Sequence, residues 1–170
     1  MKKERNLNIR RLVLSGLFIA IIFVLTAYLH IPTAKGYIHI GDAMIFLSAS
    51  LLPTPYAIAV SAIGGALADA LSGYWIWVPA TAVIKGLTAL FFTSNAEKIL
   101  CKRNITAIIP ALIICVGGYG LYSGIFIYQN LIAGFIDAPA NAIQVIASSV
   151  LYVVSGLALD RAKMKKKIGI

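Results

Sequence analysis

The chain has 170 residues, of which 60% are hydrophobic and 12% charged, and its formal net charge is +9. Soluble domains average about 45–50% apolar and about 25% charged residues, and a soluble fold of this length leaves roughly a third of its unfolded surface in water. This composition argues against a soluble enzyme, a nucleic-acid-binding module and a disordered chain. It predicts an integral membrane protein without a nucleic-acid partner.

The positive charge is concentrated in three short segments. Of the 15 Lys and Arg residues, five lie in 2–11, three in 98–103 and five in 161–167, which leaves only Lys35 and Lys85. Basic clusters separated by long apolar segments are the positive-inside pattern of a multi-pass protein of the cell membrane. We expect all three clusters to face the cytoplasm and its anionic lipids.

Only helices and closed barrels satisfy the backbone within a bilayer, and the apolar segments are too long for barrel strands. The first predicted helix covers 11–30 and ends before Pro32, because proline disfavours helix in the preceding residue. A polar loop follows, and Asp42 is the expected N-cap of a short helix over 42–52 that ends at Pro53. The remaining helices are predicted at 56–72, 80–99, 105–128 and 138–160.

The short second helix decides the predicted topology. About 11 residues cover only half of the hydrocarbon core, but if this helix crosses, the basic tails 1–10 and 161–170 and the middle cluster share one side. We therefore predict a single membrane domain over 1–170, an all-α bundle of six transmembrane helices with both termini cytoplasmic. The loops near 31–41, 73–79 and 129–137 then face outward.

Two charged residues lie within the predicted spans, Asp69 near the outer end of the third helix and Lys85 in the outer half of the fourth. Charges in spans are costly and usually face a partner or a cavity. Two interpretations stay open. The residues form a mutual ion pair that joins the helices, or one or both line a binding cavity open to the outside.

Groups suited to a planar polar ligand cluster near the same outer face. Aromatic rings for stacking and polar side chains for the ligand edges are supplied by Tyr37, Tyr74, Trp75, Trp77, His39, Asn141 and Gln144. Each has a simpler interpretation as well. The rings suit an interfacial aromatic belt, His39 suits a solvated loop, and Asn141 and Gln144, which share one helix face, suit hydrogen bonds between helices.

Several kinds of chemistry lack a sequence signal. There is no phosphate-binding G-x-x-x-x-G-K-[ST] motif, and His30 and His39 have no neighbouring Cys or Glu set for a metal. No Ser, His and Asp arrangement indicates a nucleophilic triad. We therefore expect no cofactor, no metal and no catalytic residue.

Small residues recur at four-residue spacing, which permits close approach between helices. Most such pairs are expected to pack within the chain, as for Ser61 with Gly65 and Gly120 with Gly124. On the first helix, Gly16 and Ala20 are instead candidates for docking a partner subunit.

The sequence resembles the substrate-binding S component of energy-coupling factor (ECF) vitamin transporters, and it is closest to the subgroup associated with hydroxymethylpyrimidine, thiamine and vitamin B6. The resemblance covers nearly the whole chain. It is carried by Gly-Tyr-Ile-His-Ile-Gly-Asp at 36–42, Leu-Leu-Pro at 51–53, Gly-Gly-Ala-Leu-Ala-Asp at 64–69, Gly73-Tyr74, Pro-Ala-Thr at 79–81 and Lys85-Gly86.

The resemblance implies a subunit that captures a vitamin or precursor at the outer face and does not hydrolyse ATP. A transmembrane coupling subunit and two ATPases would drive uptake, and the coupling subunit would dock on the first helix, where Gly16 and Ala20 replace the family's A-x-x-x-A. The first loop would act as a lid. The candidate substrate-binding residues are Tyr37, His39, Asp69, Trp75, Trp77, Lys85, Asn141 and Gln144.

Two alternatives belong to other functional classes. A membrane-embedded enzyme would use Asp69 with Lys85 or His39 in acid–base chemistry, although a second acidic or nucleophilic partner is missing. A self-contained secondary carrier would be expected to show inverted repeats with broken helices. We find no convincing repeat between 11–73 and 80–160.

Overall fold

The computed structural model describes residues 2–33 and 36–169. Over these residues the chain is mostly helical, with one small β-hairpin. The elements, in chain order, are α1 Lys2–Ala27, β1 His30–Pro32, β2 Tyr37–His39, α2 Asp42–Leu51, α3 Thr54–Leu71, a 3-10 turn at Trp75–Trp77, α4 Val78–Ala89, α5 Lys102–Thr106, α6 Ile108–Tyr122, a π-helical turn at Ser123–Ile127, α7 Leu131–Gly134, α8 Ala138–Arg161 and α9 Met164–Ile168.

Four helical segments of the described chain are long and apolar enough to cross a membrane, by length and composition. They are Glu4–Ala27, Thr54–Leu71, Lys102–Ile127 and Leu131–Arg161. At 1.5 Å per residue, the 10 residues of α2 and the 12 residues of α4 are shorter than a bilayer requires. The four long helices are consistent with the predicted integral membrane protein, whereas six crossings stay a prediction.

Helix α2 is the centre of the bundle. Nine of its ten residues are buried, and it packs against α1, α3, α4 and α8. The ring of Phe46 stacks on Phe92 at 5.0 Å, and the Tyr152 ring meets Phe46 edge-on. The Tyr152 hydroxyl also pairs with Ser50 Oγ at 2.8 Å. A short helix is sufficient here because protein, rather than lipid, surrounds it.

The segment predicted as a polar loop forms a β-hairpin, so the chain is not strictly all-α. β1 and β2 are antiparallel, with His30 opposite His39 and Pro32 opposite Tyr37. Thr33 N donates to Gly36 O at 2.9 Å across the connection. Lys35, inside this connection, lies outside the described residues.

The fourth helix is shorter than the predicted 80–99, because buried polar side chains support a non-helical segment after Ala89. Asn104 accepts a hydrogen bond from Thr93 N at 2.7 Å and donates to Ile99 O at 2.9 Å. Asp160 accepts from the backbone N–H groups of Ile99 and Leu100. These side chains satisfy backbone groups that a longer helix would have paired internally.

The described ends of the chain meet at one end of the bundle. Arg10 donates to Ile168 O at 3.3 Å, and Lys165 Nζ donates to Ser94 O and Ala96 O at 2.9 and 2.8 Å. The three basic clusters thus share one end. The hairpin and the Trp75–Trp77 turn lie at the other.

Candidate ligand-binding site

A cavity lies beneath the hairpin, at the end of the bundle opposite the basic clusters. Its empty space is about 490 Å³, including the part that is open to solvent. The hairpin, α3, α4, α6 and α8 all contribute to its wall. The lining residues are Thr33, Gly36, Tyr37, Ile38, His39, Asp69, Trp77, Thr81, Tyr119, Ser123, Asp137, Ala140, Asn141 and Gln144.

Tyr37 joins the hairpin to the wall of the cavity. Its ring lies 4.8 Å from the His30 ring and 4.7 Å from the Tyr74 ring, and its hydroxyl donates to Asp69 Oδ1 at 2.5 Å. Burial, and then the neighbouring Asp69 carboxylate, raise the pKa of Tyr37. The phenol is therefore a stable hydrogen-bond donor at neutral pH.

Asp69 is 5% exposed and lies in the cavity wall on α3. Its Oδ1 accepts the Tyr37 hydrogen bond, but its buried Oδ2 has no hydrogen-bond partner among the described residues. Buried polar atoms are rarely left in this state. One oxygen of this cavity-wall carboxylate is therefore left without a hydrogen bond.

Lys85 does not pair with Asp69, so the first of the two open interpretations, a mutual ion pair, is wrong. Its Nζ lies 2.7 Å from Asp42 Oδ1 and 2.9 Å from Asp42 Oδ2, and both side chains are almost fully buried. The plain N-cap role of Asp42 is also wrong, because Gly41 is the N-cap and no side chain caps α2. Lys85 is absent from the cavity wall and supports it from behind.

Gln144 connects this ion pair to the hairpin. Its Nε2 donates to Asp42 Oδ2 at 2.9 Å, and its Oε1 accepts from His39 N at 3.3 Å. A buried polar chain thus runs from Lys85 on α4 through Asp42 on α2 and Gln144 on α8 to the backbone of β2. Both charges of the ion pair are satisfied, as burial demands.

His39 belongs to this buried series of polar contacts and does not lie in a solvated loop. Its Nδ1 accepts a hydrogen bond from Gly41 N at 3.0 Å, which requires that nitrogen to be unprotonated. Burial, partly opposed by the Asp42 carboxylate, lowers the pKa of His39 to about 4. The imidazole is therefore neutral at physiological pH, and it lines the cavity without adding positive charge.

The two tryptophans are separated. Trp77 is 8% exposed and lines the cavity, and its ring meets that of Tyr119 edge-on at 5.7 Å. Trp75 is 67% exposed and absent from the lining. Its position suits the interfacial belt better than stacking on a ligand.

Comparison with known proteins identifies the family. The family described as "ECF-type riboflavin transporter, S component" matches residues 6–161. The chain belongs to the ECF S-component family. It is also 28% identical over 146 residues, 83% of this chain and 72% of the relative, to a UPF0397 protein of Lactobacillus helveticus (strain DPC 4571).

The family assignment confirms the predicted resemblance and a multi-pass membrane protein that serves transport. S components belong to transporters and are not enzymes, which favours the binding-subunit interpretation over a membrane enzyme. The description of the matching family names riboflavin, so the predicted hydroxymethylpyrimidine, thiamine and vitamin B6 subgroup is not confirmed.

On this S component, Gly16 and Ala20 lie on the exposed side of α1. A side chain added at Gly16 would meet nothing within 4 Å. A side chain added at Gly65, which sequence analysis placed inside the bundle, would instead meet the side chains of Thr81 and Lys85. Leu12 and Leu17, which lie beside Gly16 and Ala20, are also exposed. This face of α1 packs on nothing within the described chain at the position of Gly16.

Of the predicted binding residues of the S component, six line the cavity, namely Tyr37, His39, Asp69, Trp77, Asn141 and Gln144, while Lys85 and Trp75 do not. Sequence analysis missed Tyr119, Ser123 and Asp137. Asp137 precedes the last long helix and had a signal as a rare acidic residue, but Tyr119 and Ser123 lie in an apolar segment without one. Among the described residues, no group of three metal-ligating side chains occurs.

Proposed function

We propose that this S component captures a small heteroaromatic vitamin or precursor of the hydroxymethylpyrimidine, thiamine or pyridoxine type, at the outer face of the membrane. The observation that carries the proposal is the cavity under the hairpin, where Tyr37, Trp77 and Tyr119 supply aromatic surface beside fixed polar groups. Apolar walls with few convergent polar groups are characteristic of small-molecule sites. Riboflavin, named in the description of the matching family, is the main competing ligand.

In this proposal, the polar groups of the cavity bind the edges of the ligand ring. Asn141 and Gln144 lie one turn apart on α8, and Asp69 faces them from α3. Because Asp69 and Gln144 are almost fully buried, a hydrogen bond from either side chain to the ligand is stronger than it would be in water. Lys85 acts indirectly, by fixing Asp42 and, through it, Gln144.

The hairpin is the lid of the proposed site. It is held from two sides, by the Tyr37 bond to Asp69 and by the Gln144 bond to His39 N. A ligand that contacts Tyr37 and Gln144 would bind the closed state more tightly than the open one, which is the condition for ligand-driven closure.

In this proposal a coupling subunit and two ATPases drive transport, as membership of the ECF S-component family implies. The exposed α1 face around Gly16 and Ala20 is the proposed docking surface for the coupling subunit. The basic end of the bundle lies in the cytoplasm, and the cavity opens outward.

The proposal is tested on the purified chain in detergent. Mass spectrometry of the small molecules that co-purify, followed by calorimetry on ligand-free protein, should identify a vitamin bound with sub-micromolar affinity and without chemical change. ATP-driven uptake should appear only when the coupling and ATPase subunits are present. Uptake by this chain alone in liposomes would instead establish a secondary carrier, and turnover of the ligand would establish an enzyme.

A further inference from the structure

The unpaired oxygen of Asp69 is the starting point. The side chain is 5% exposed, it lines the cavity, and its Oδ2 is buried without a hydrogen-bond partner among the described residues. Burying a carboxylate oxygen without compensation is costly. A fold that keeps such an atom in the wall of a binding cavity leaves it for the ligand to satisfy.

The groups around Asp69 have other partners as well. Tyr37 donates its only hydroxyl proton to Oδ1. The Thr81 hydroxyl, which also interacts with the Asp69 carboxylate, pairs with Tyr119 OH at 2.9 Å, and Lys85 is held by Asp42. The nearest cation on the described chain is thus neutralised by a different carboxylate.

The charge of the cavity wall also supports a role for Asp69 in binding the ligand. Its described residues include two carboxylates, Asp69 and Asp137, and no Lys or Arg. His39 also lines the wall and adds no charge at neutral pH, because its Nδ1 accepts the bond from Gly41 N. A ligand with a positive or hydrogen-donating edge is favoured there, whereas a phosphate group would meet like charge. The faces of Trp77 and Tyr119 would add cation–π attraction.

We propose that Asp69 determines specificity by binding an amine or a protonated ring nitrogen of the ligand, so that the site selects unphosphorylated, donor-bearing heteroaromatic rings and rejects their phosphate esters. This inference rests on the proposed function and narrows its substrate class. Tyr37, through its bond to Oδ1, holds the carboxylate in position.

The test is calorimetry with matched ligands on the ligand-free protein and on Asp69→Asn. The probes are a hydroxymethyl-aminopyrimidine, its counterpart in which a methyl group replaces the amine, the phosphate ester of the first, and riboflavin. The wild-type chain should bind the aminopyrimidine best and the phosphate ester at least tenfold more weakly. Asp69→Asn should lose about 30-fold or more in affinity for the amine, as expected for truncation of a buried charge pair, and should lose the preference over the methyl counterpart.

A stability measurement accompanies binding. Because Asp69→Asn removes an unpaired buried charge and keeps the side-chain shape, the ligand-free variant should melt at the same temperature as the wild type or higher. Glu97→Gln, which changes an exposed carboxylate at the basic end of the bundle, away from the cavity, is the matched control and should keep the preference for the amine.

The outcomes separate this inference from the proposed function. If the aminopyrimidine or another vitamin binds tightly but Asp69→Asn leaves the amine preference unchanged, the role of Asp69 is refuted while the binding function survives. Tighter binding of the phosphate ester than of the parent compound would refute it equally. If no probe binds and no vitamin co-purifies with the wild type, the proposed function itself fails.

Discussion

At the scale of single residues, the ion pair of Lys85 and Asp42 joins α4 to α2, and the Gln144 hydrogen bond to Asp42 adds α8. Its two oxygen–nitrogen distances are 2.7 and 2.9 Å, and Gln144 completes the coordination of the carboxylate. A buried pair of this kind adds little net stability over apolar residues, but removing one partner leaves the other charge stranded. This asymmetry makes the pair testable.

Lys85→Met should destabilise the protein by about 3–5 kcal/mol, because it leaves Asp42 buried and uncompensated. The double variant Lys85→Met with Asp42→Leu should recover most of that loss. Thermal unfolding in detergent, followed for both single variants and the double variant, measures the coupling. Equal stabilities of Lys85→Met and the wild type would contradict the ion pair.

The pH dependence of the hairpin follows from His39. Its pKa in the folded state is about 4, mainly because of burial, and the opposing influence of Asp42 is partly cancelled by Lys85 and His30. An exposed histidine titrates near 6.5, so the open hairpin binds more protons than the closed one between about pH 4 and 6.5. Closure is therefore fully favoured above about pH 6.5 and weakens as the pH falls toward 4.

Lowering the pH from 7 to 5 should increase hairpin opening by roughly an order of magnitude. Amide hydrogen exchange of residues 36–41, corrected for intrinsic exchange chemistry, measures the opening. His39→Gln, whose amide oxygen can also accept from Gly41 N, is the matched variant and should show little pH dependence. The same pH response in both proteins would exclude His39 as the cause.

The charged residues also show what sequence analysis can predict at this scale. Asp69 and Lys85 stand out because charges are rare in apolar helices, and both are buried as expected. Their partners were not predictable, because pairing depends on which helix faces which. Asp42 resembled a helix cap at the start of α2, and only the packing of α4 and α8 against α2 brings Lys85 and Gln144 to it.

At the scale of elements, long apolar helices with clear ends were the predictable part. The structure gives α8 as Ala138–Arg161 and α3 as Thr54–Leu71, against predicted ranges of 138–160 and 56–72. The hairpin of three-residue strands is too short for a periodicity signal. The early end of α4 depends on Asn104 and Asp160, which come from later in the chain, so no local pattern reveals it.

The prediction about assembly concerns the exposed face of α1. Ala20→Leu should add bulk where the coupling subunit is proposed to dock and should abolish co-purification with the ECF module, because close approach of helices needs small residues. Ligand affinity should be unchanged, since Ala20 is exposed and absent from the cavity wall. Ala147→Leu, at an exposed alanine of α8, is the control. A complex that survives Ala20→Leu but not Ala147→Leu would place the docking surface on α8.

At the scale of the whole molecule, the bundle has two chemically different ends. Arg10 contacts the backbone of Ile168, and Lys165 contacts the backbone of Ser94 and Ala96, so segments from the beginning, middle and end of the chain meet at one end. Burial lowers the pKa of Lys165, but its two carbonyl partners stabilise the ammonium form. The other end holds the cavity and the hairpin, so orientation in the membrane decides which side captures the ligand.

The positive-inside rule places the basic end in the cytoplasm, and cysteine labelling can test this orientation. In a Cys101→Ser and Cys115→Ala background, single cysteines are introduced at the exposed positions Asn6, Leu29 and Lys163. A membrane-impermeant maleimide should label Leu29→Cys in intact cells. Asn6→Cys and Lys163→Cys should react only after permeabilisation, because their end of the bundle faces inward.

Retention of the co-purified ligand in each cysteine variant verifies that the site is intact. Labelling of Asn6→Cys and Lys163→Cys from opposite sides would contradict the shared end seen in the contacts of Arg10 and Lys165. Labelling of both from outside, with Leu29→Cys protected, would keep the fold but reverse the cavity. A binding subunit for uptake would then face the wrong compartment, and the proposed capture of an external vitamin would have to be abandoned.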